Sequence, residues 1–120
     1  MTIDQRLPAG WDVIDDEECR RASGVMELVG RRWSSSILFS LARGATRFGE
    51  VLVSVAGLSD RLLAVRLKEL ERAGLVDRVV EPTTPVTVRY GLTPRGRELM
   101  EALQPLVRYG QRWETGGRGR

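Results

Sequence analysis

The 120-residue sequence predicts a mainly α-helical fold with one small β-hairpin (α+β), and three observations lead to this fold class. Apolar residues recur every three or four positions in five stretches, which is the spacing of amphipathic helices. Two short β-branched runs flank a Pro-Thr-Thr-Pro turn at residues 82–85, as in a hairpin. That hairpin follows directly on a capped amphipathic helix. This order predicts a winged helix-turn-helix, with long terminal helices that form a dimer.

The first half of the chain is predicted to hold an acidic arm and three helices. Residues 1–17 combine acidic side chains with scattered apolar ones, so we expect a loosely docked arm. Helices are expected over residues 18–29, over about 34–43 with a serine as the cap, and over 48–55. Between the last two, Thr46 is expected to supply a third strand to a small sheet. Residues 18–114 then form one winged helix-turn-helix domain with dimerisation helices at both ends.

The second half is predicted to hold the helix that reads DNA, the hairpin and a long last helix. Ser59 or Asp60 caps the reading helix, which stops at Gly74. Its buried face is expected to consist of three leucines at helical spacing: Leu63, Leu67 and Leu70. Strands are expected over 75–80 and 86–91, and a helix capped by Thr93 runs to about residue 114. Residues 115–120, rich in glycine and arginine, are expected to be a disordered tail.

Charge is distributed unevenly along the chain. Residues 1–18 hold six acidic side chains and one arginine, so the remainder carries a net +8 within an overall net charge of +3. Nearly all of the positive charge is arginine, whose planar fork suits phosphates and guanine edges. The expected partner is therefore double-stranded DNA.

Composition also argues against several other classes of protein. Histidine is absent, and the sequence has neither a zinc-spaced cluster nor a phosphate-binding loop, so we expect no catalysis, no metal and no cofactor. No apolar run approaches the roughly 18 residues that a membrane span needs. A single cysteine fits a reducing compartment. We therefore expect a cytoplasmic protein with no membrane partner.

The outward face of the predicted reading helix and the arginines near it are the candidate DNA contacts. Basic or small side chains there can enter a major groove, with Arg61 as the best candidate for guanine. The residues expected to face base edges are Asp60, Arg61, Ala64, Val65 and Lys68. The residues expected to hold phosphates are Arg47, Ser59, Arg66, Arg78 and Arg89.

The last helix carries more apolar surface than a small domain can cover. A second copy of the chain is its expected partner, pairing it with the helix over 18–29. The predicted dimer interface comprises Val25, Met26, Leu99, Leu103, Leu106, Val107, Tyr109 and Trp113. Packing of this helix back on its own domain is the alternative.

Several joined motifs resemble the HxlR-type family of bacterial transcriptional regulators. The first group is Gly30-Arg31-Arg32-Trp33, Ile37-Leu38, Gly44 and Arg47-Phe48-Gly49-Glu50-Val51. The second is Ser59, Leu63, Arg66-Leu67, Glu69-Leu70-Glu71, Gly74-Leu75-Val76 and Tyr90-Gly91-Leu92-Thr93-Pro94-Arg95-Gly96. This resemblance implies a homodimeric, MarR-like winged helix-turn-helix protein that binds near-palindromic operators.

Our hypothesis is a sequence-specific transcription regulator of this type, with repression as the expected sign. One alternative is a winged-helix module that makes protein contacts without specific DNA binding. Another, compatible with DNA binding, is a regulator whose small-molecule effector sits in the dimer interface near Trp33, Tyr109 and Trp113.

Cys19 is the candidate redox-sensing residue. Members of the family that this chain resembles sense oxidants or electrophiles through a cysteine at this place. A thiol in the first turn of a helix gains thiolate character from the exposed amides, and Arg20 and Arg21 would add to it, whereas Glu17 and Glu18 would oppose it. The alternative is that Cys19 is simply a small apolar residue. With no other cysteine in the chain, its oxidation can give only an intersubunit disulfide or a mixed adduct.

Overall fold

The computed structural model describes residues 2–114, which divide into two units between Arg31 and Arg32. The first unit holds a 3-10 turn at Trp11–Val13 and helix α1 at Asp16–Gly30. α1 begins two residues before the predicted position because Asp15 and Glu18 cap each other. Asp15 Oδ1 accepts the Glu18 N–H at 2.8 Å, and Glu18 Oε1 accepts the Asp15 N–H at 3.0 Å.

The second unit carries the helices and strands predicted for it, each within two residues of its expected bounds. In chain order these are α2 (Ser34–Ala42), α3 (Phe48–Ser54), α4 (Asp60–Arg72), β1 (Val76–Glu81), β2 (Thr87–Leu92) and α5 (Pro94–Trp113). The prediction of a mainly helical fold with one small hairpin is confirmed. The predicted tail at 115–120 lies outside the described residues.

The core of the second unit is built from aliphatic side chains of α2, α3 and α4 and of the residues that lead into β1. Its most buried members are Ile37, Leu38, Val51, Leu63, Leu67, Leu70, Leu75 and Val76. The three leucines predicted for the inner face of α4 are among them, each at most 2% exposed. Because this face is committed to the core, the opposite face of α4 is left at the surface.

The predicted serine cap of α2 is wrong. Ser34 is already helical and buried, and the residue at the cap position is Trp33, whose carbonyl accepts the Ile37 N–H at 3.0 Å. The Trp33 backbone is left-handed, with φ 78° and ψ −18°, and no side-chain hydrogen bond caps the helix. The helix therefore starts at a backbone turn rather than at a hydroxyl cap.

The sheet has two strands in the described chain, so the predicted third strand at Thr46 is also wrong. β1 and β2 pair antiparallel from Val76 with Leu92 to Glu81 with Thr87. Thr46 does make one sheet-like hydrogen bond, since its carbonyl accepts the Tyr90 N–H at 2.7 Å. Its own N–H instead donates to the Glu50 carboxylate at 2.9 Å. Thr46 cannot extend a ladder because the Glu50 carboxylate takes its N–H.

The end of α4 and the start of α5 meet in a tight contact of Gly74, Leu75, Thr93 and Gly96, called here the α4–α5 joint. As predicted, Thr93 caps α5: its hydroxyl oxygen accepts the Gly96 N–H at 2.9 Å. The same hydroxyl donates to the Gly74 carbonyl at 2.6 Å, and the Thr93 N–H donates to the Leu75 carbonyl at 3.1 Å. One residue thus caps α5 and ties it to the end of α4.

None of the helices within residues 2–114 combines the length and apolar character needed to cross a membrane.

Candidate nucleic-acid interface

The outward face of α4 is an accessible surface with basic and small side chains. Arg61, Ala64, Val65 and Lys68 are all exposed, and Val65 keeps 44% of its accessible surface. Residues three and four apart share a helix face, so these side chains lie together, opposite the buried leucines. Asp60, the first residue of α4, is exposed as well. The structure therefore brings Arg61, Ala64, Val65 and Lys68 onto one face, with Asp60 about 100° round the helix at its start, while contact with bases stays a prediction.

A groove separates this face of α4 from the hairpin. It forms a cavity of about 630 Å³ lined by Ala64, Val65, Leu67, Lys68, Glu71, Arg78 and Tyr90. Arg78 and Tyr90 are partners across the two strands, so their side chains lie on the same side of the hairpin. Arg78 thus sits beside α4 rather than at the hairpin tip. The sequence analysis did not assign Tyr90 to this surface. Its position opposite Arg78 in the strand alternation could have placed both residues on the same face of the hairpin.

Arg47 and Ser59 stand exposed at the starts of α3 and α4. Ser59 caps α4 through its hydroxyl oxygen, which accepts the Leu62 N–H at 3.1 Å. Glu50 does the same for α3, since its Oε1 accepts the N–H groups of Thr46 and, at 3.1 Å, of Arg47. These two backbone donors, of which Thr46 has the larger effect, hold the pKa of the Glu50 carboxyl below its ordinary value. Sequence reasoning missed this cap, although a glutamate three residues after the cap position, here Arg47, is a known signal.

Arg89, in the middle of β2, connects the hairpin to the loop before α3. Its Nε donates to Glu81 Oε1 at 2.8 Å, across the two strands, and its Nη1 donates to Thr46 Oγ1 at 3.3 Å. Its side chain is 42% exposed. Arg89 therefore already has an internal anionic partner, which a phosphate would have to displace.

The tip of the hairpin carries no charge. Residues 82–86 are all exposed, and the adjoining strand residues Val79 and Val80 are about half exposed. Within the tip, the Thr83 hydroxyl donates to the Pro85 carbonyl at 2.7 Å, and Val86 keeps 63% of its surface. A tip with this chemistry can touch DNA through shape and apolar contact, but it cannot neutralise a phosphate.

Arg66 is placed differently from the other predicted phosphate contacts. Its side chain is only 17% exposed, and its guanidinium donates to the Arg32 carbonyl at 2.9 Å and to Glu69 at 3.2 Å. Contact between Arg66 and a phosphate stays a prediction. Its low exposure and its two internal hydrogen bonds favour a role inside the domain instead.

The side chains predicted to form a dimer interface are largely at the surface of the single chain. On α5, Leu106, Val107, Tyr109 and Trp113 are exposed by 47–64%, and Leu99 and Leu103 are half-buried. On α1, Val25 and Met26 are 41% and 72% exposed.

The predicted effector pocket near Trp33, Tyr109 and Trp113 is a separate question. Trp33 lines a cavity of about 540 Å³ between α2 and α3, whereas Tyr109 and Trp113 lie exposed on α5. A pocket shared by all three residues therefore stays a prediction.

Cys19 is exposed near the start of α1. Its N–H donates to the Asp15 carbonyl at 3.1 Å, in the first hydrogen-bonded turn. The nearby Arg21 pairs with Glu17 at 2.6 Å, so part of the positive charge expected to favour a thiolate is already neutralised.

Sequence comparison relates the chain to known regulators. A model of the family described as HxlR-like helix-turn-helix matches residues 28–117. The HTH-type transcriptional regulator YodB of Bacillus subtilis is 39% identical over 88 residues, which cover 73% of this chain and 79% of YodB. YvaP of the same organism, described as an uncharacterized HTH-type transcriptional regulator, is 38% identical over 97 residues, covering 81% of this chain and 90% of YvaP.

Solved structures extend the likeness to the fold. The crystal structure of diamide-treated YodB matches with a TM-score of 0.69 at 36% identity, covering 79% of this chain and 94% of that chain. The redox regulator HypR in its oxidized form matches with a TM-score of 0.70 at 27% identity, covering 76% and 94%. The likeness therefore includes both the sequence and the fold.

Proposed function

Because the chain belongs to the HxlR-like helix-turn-helix family, and is therefore a DNA-binding transcriptional regulator, we propose that it acts as a homodimeric repressor on near-palindromic operators. The observation that carries this proposal is the division of α4 into two faces. Three leucines anchor one face in the core, and the other is exposed, partly basic and adjacent to the hairpin groove. A helix held in this way can enter a major groove, which is wide enough to admit it.

The proposed base contacts are the outward residues of α4. Arg61 would bind guanine through its planar fork, and Val65 and Ala64 would lie against thymine methyl groups. Lys68 and Asp60 complete the surface, where an aspartate can accept a hydrogen bond from a cytosine amino group. The exposure of Arg61, Ala64, Val65 and Lys68 on one face supports their roles, and Asp60 is exposed at the start of the helix.

The proposed phosphate contacts surround that face. Arg47 and Ser59 lie exposed at two helix starts, and Arg78 lies in the groove beside α4. Arg89 would reach a phosphate near the hairpin in competition with Glu81. Such contacts fix the orientation of a protein on DNA and make its affinity depend on salt.

The proposed dimer covers the apolar residues of α5 and of α1. An apolar stripe exposed along a 20-residue helix is unusual for a soluble monomer, and a second copy would remove it from water. A dimer with two-fold symmetry presents two copies of α4, which explains why the expected operator is a near-palindrome.

Selection of bound fragments from genomic DNA at physiological salt tests these proposals together. The expected result is enrichment of fragments that carry two inverted half-sites whose centres lie about 34 Å apart on one face of the duplex. Enrichment of nothing would favour a winged-helix module for protein contacts. Enrichment of isolated half-sites would contradict the dimer while leaving specific binding intact.

We also propose that Cys19 makes DNA binding sensitive to oxidants. Its exposure supports this role, as do the relatives YodB, solved after diamide treatment, and HypR, a redox regulator solved in its oxidized form. The chain has a single cysteine, so the simplest product joins the Cys19 sulfurs of two subunits. Diamide would accept the two electrons and two protons that the thiols release.

Titration of operator affinity with diamide checks this role of Cys19. Wild type is expected to lose affinity as diamide is added, with a covalent dimer visible on a non-reducing gel. Cys19→Ser is expected to keep its affinity throughout, because its hydroxyl cannot form the disulfide. Superimposable titration curves for the two proteins would remove Cys19 from the mechanism.

A further inference from the structure

Arg66 lies on the flank of α4 that faces the rest of the domain. It comes five residues after Arg61, which at about 100° per residue places it about 140° round the helix. Its Nε donates to the Arg32 carbonyl at 2.9 Å and its Nη1 donates to Glu69 Oε1 at 3.2 Å. With 17% of the side chain exposed, the guanidinium is directed toward the start of α2.

The carbonyl that Arg66 binds is oriented by the backbone of Trp33. Its left-handed φ of 78° is rarely adopted by residues other than glycine. Because φ describes rotation about the bond next to the Arg32–Trp33 peptide, this value decides where the Arg32 carbonyl points relative to α2. The Arg32 guanidinium lies 4.9 Å from the centroid of the Trp33 ring, a cation–π contact at the same corner.

The Trp33 ring also packs on the turn that leads into α4. Gly57 lies in that turn with φ 86°, and a Cβ built there would be 3.3 Å from Trp33 Cη2. The corner formed by Arg32 and Trp33 therefore contacts the helix-turn-helix at two places. It contacts the turn before α4 through the ring, and it contacts the middle of α4 through Arg66.

We propose that Arg66 is a positioning residue that fixes the rotation of α4 about its own axis, and so directs Arg61, without contacting DNA. The proposal rests on the proposed function. Burial of the three leucines holds α4 on the core, but apolar packing has little directional preference. The hydrogen bond from Arg66 to the Arg32 carbonyl is directional, so it can define the rotation of the helix. A rotation of about 20° would move a side-chain atom about 6 Å from the axis by about 2 Å. That displacement breaks a hydrogen bond to a base edge.

The test compares Arg66→Gln and Arg66→Lys with Arg72→Gln, which removes a charge from the exposed last turn of the same helix. Affinities of the full chain for its selected operator and for random duplex are measured over a range of salt, well below each Tm. For Arg66→Gln we expect operator affinity to fall about tenfold or more, with random-duplex affinity within about twofold and the salt slope unchanged. Lysine keeps the charge but lacks the planar fork, so Arg66→Lys should not restore operator affinity. Arg72→Gln should retain operator discrimination.

Two results would overturn the proposal. If Arg66 binds phosphate, Arg66→Gln weakens both duplexes and lowers the salt slope by about 2 for a dimer, and Arg66→Lys recovers binding. If Arg66 only stabilises the fold, its variants lower Tm but keep wild-type operator affinity below it. Failure of wild type itself to prefer any operator is a separate outcome, which refutes the proposed function and this inference with it.

Discussion

Gly96→Ala is expected to destabilise the fold by about 3 kcal/mol and to lower the Tm by about 10–15 °C. Gly96 is buried in the first turn of α5, and a Cβ there would overlap the carbonyl oxygen of Leu75. That oxygen belongs to the backbone and is held by the Thr93 N–H, so it cannot rotate away. α5 would have to lift from the α4–α5 joint and weaken the bond from Thr93 to the Gly74 carbonyl.

Gly49→Ala is the matched control for this stability prediction. Gly49 lies in α3, and a Cβ there meets nothing within 4 Å. Alanine is favoured over glycine inside a helix by up to about 1 kcal/mol, so the Tm should hold or rise. Thermal unfolding by circular dichroism, at one protein concentration for all variants, checks both substitutions. A Gly96→Ala variant that melts with wild type would show that the joint is not as close as described.

Arg61→Ala is expected to abolish most of the preference for operator over random DNA. A bidentate contact to guanine contributes about 1–3 kcal/mol of discrimination, which corresponds to about 5- to 150-fold per half-site. Arg61 is exposed and remote from the core, so the variant should melt with wild type. The measurement is the ratio of operator to random-duplex affinity at fixed salt.

Arg47→Ala provides the contrasting arginine. Its side chain is exposed at the start of α3, where we propose a phosphate contact, and the Glu50 cap depends on its backbone N–H rather than on its side chain. We expect it to weaken operator and random duplex alike and to lower the salt slope. If Arg61→Ala behaved in this way and Arg47→Ala lost discrimination, the two roles would be interchanged.

The helices and strands could be predicted because each depends on local signals. Apolar spacing located the helices, Thr93 followed by proline marked the start of α5, and Gly74 ended α4 in a left-handed conformation. The two-residue error at the start of α1 was avoidable, because Asp15 and Glu18 have the spacing of a capping box.

The other two errors depend on contacts that the spacing of apolar residues does not show, one distant in the chain and one local. Trp33 stands at the cap position of α2, and its ring lies beside Gly57, a neighbour only in the folded chain. Thr46 leaves the sheet because Glu50 takes its N–H.

The same limit applies to the candidate site. The outward face of α4 follows from helical spacing, so its exposed residues could be predicted together. The Arg32 carbonyl that Arg66 binds and the Thr46 hydroxyl that Arg89 binds could not, because they lie 34 and 43 residues away in the chain. The sequence shows where the arginines are, but it does not show which distant oxygen atom each guanidinium already binds.

The α4–α5 joint couples the position of α5 to that of α4. Its 20 residues extend about 30 Å, and its first turn is fixed to the end of α4 through Thr93 and Gly96. A displacement of about 3 Å at Trp113 therefore corresponds to a tilt of about 6° at the joint. The hydrogen bonds of the joint connect the two helices directly, and Pro105 is the point inside α5 at which that helix can bend. We therefore expect a shift of the far end of α5 to be transmitted to α4 through the joint, less the part that bending at Pro105 absorbs.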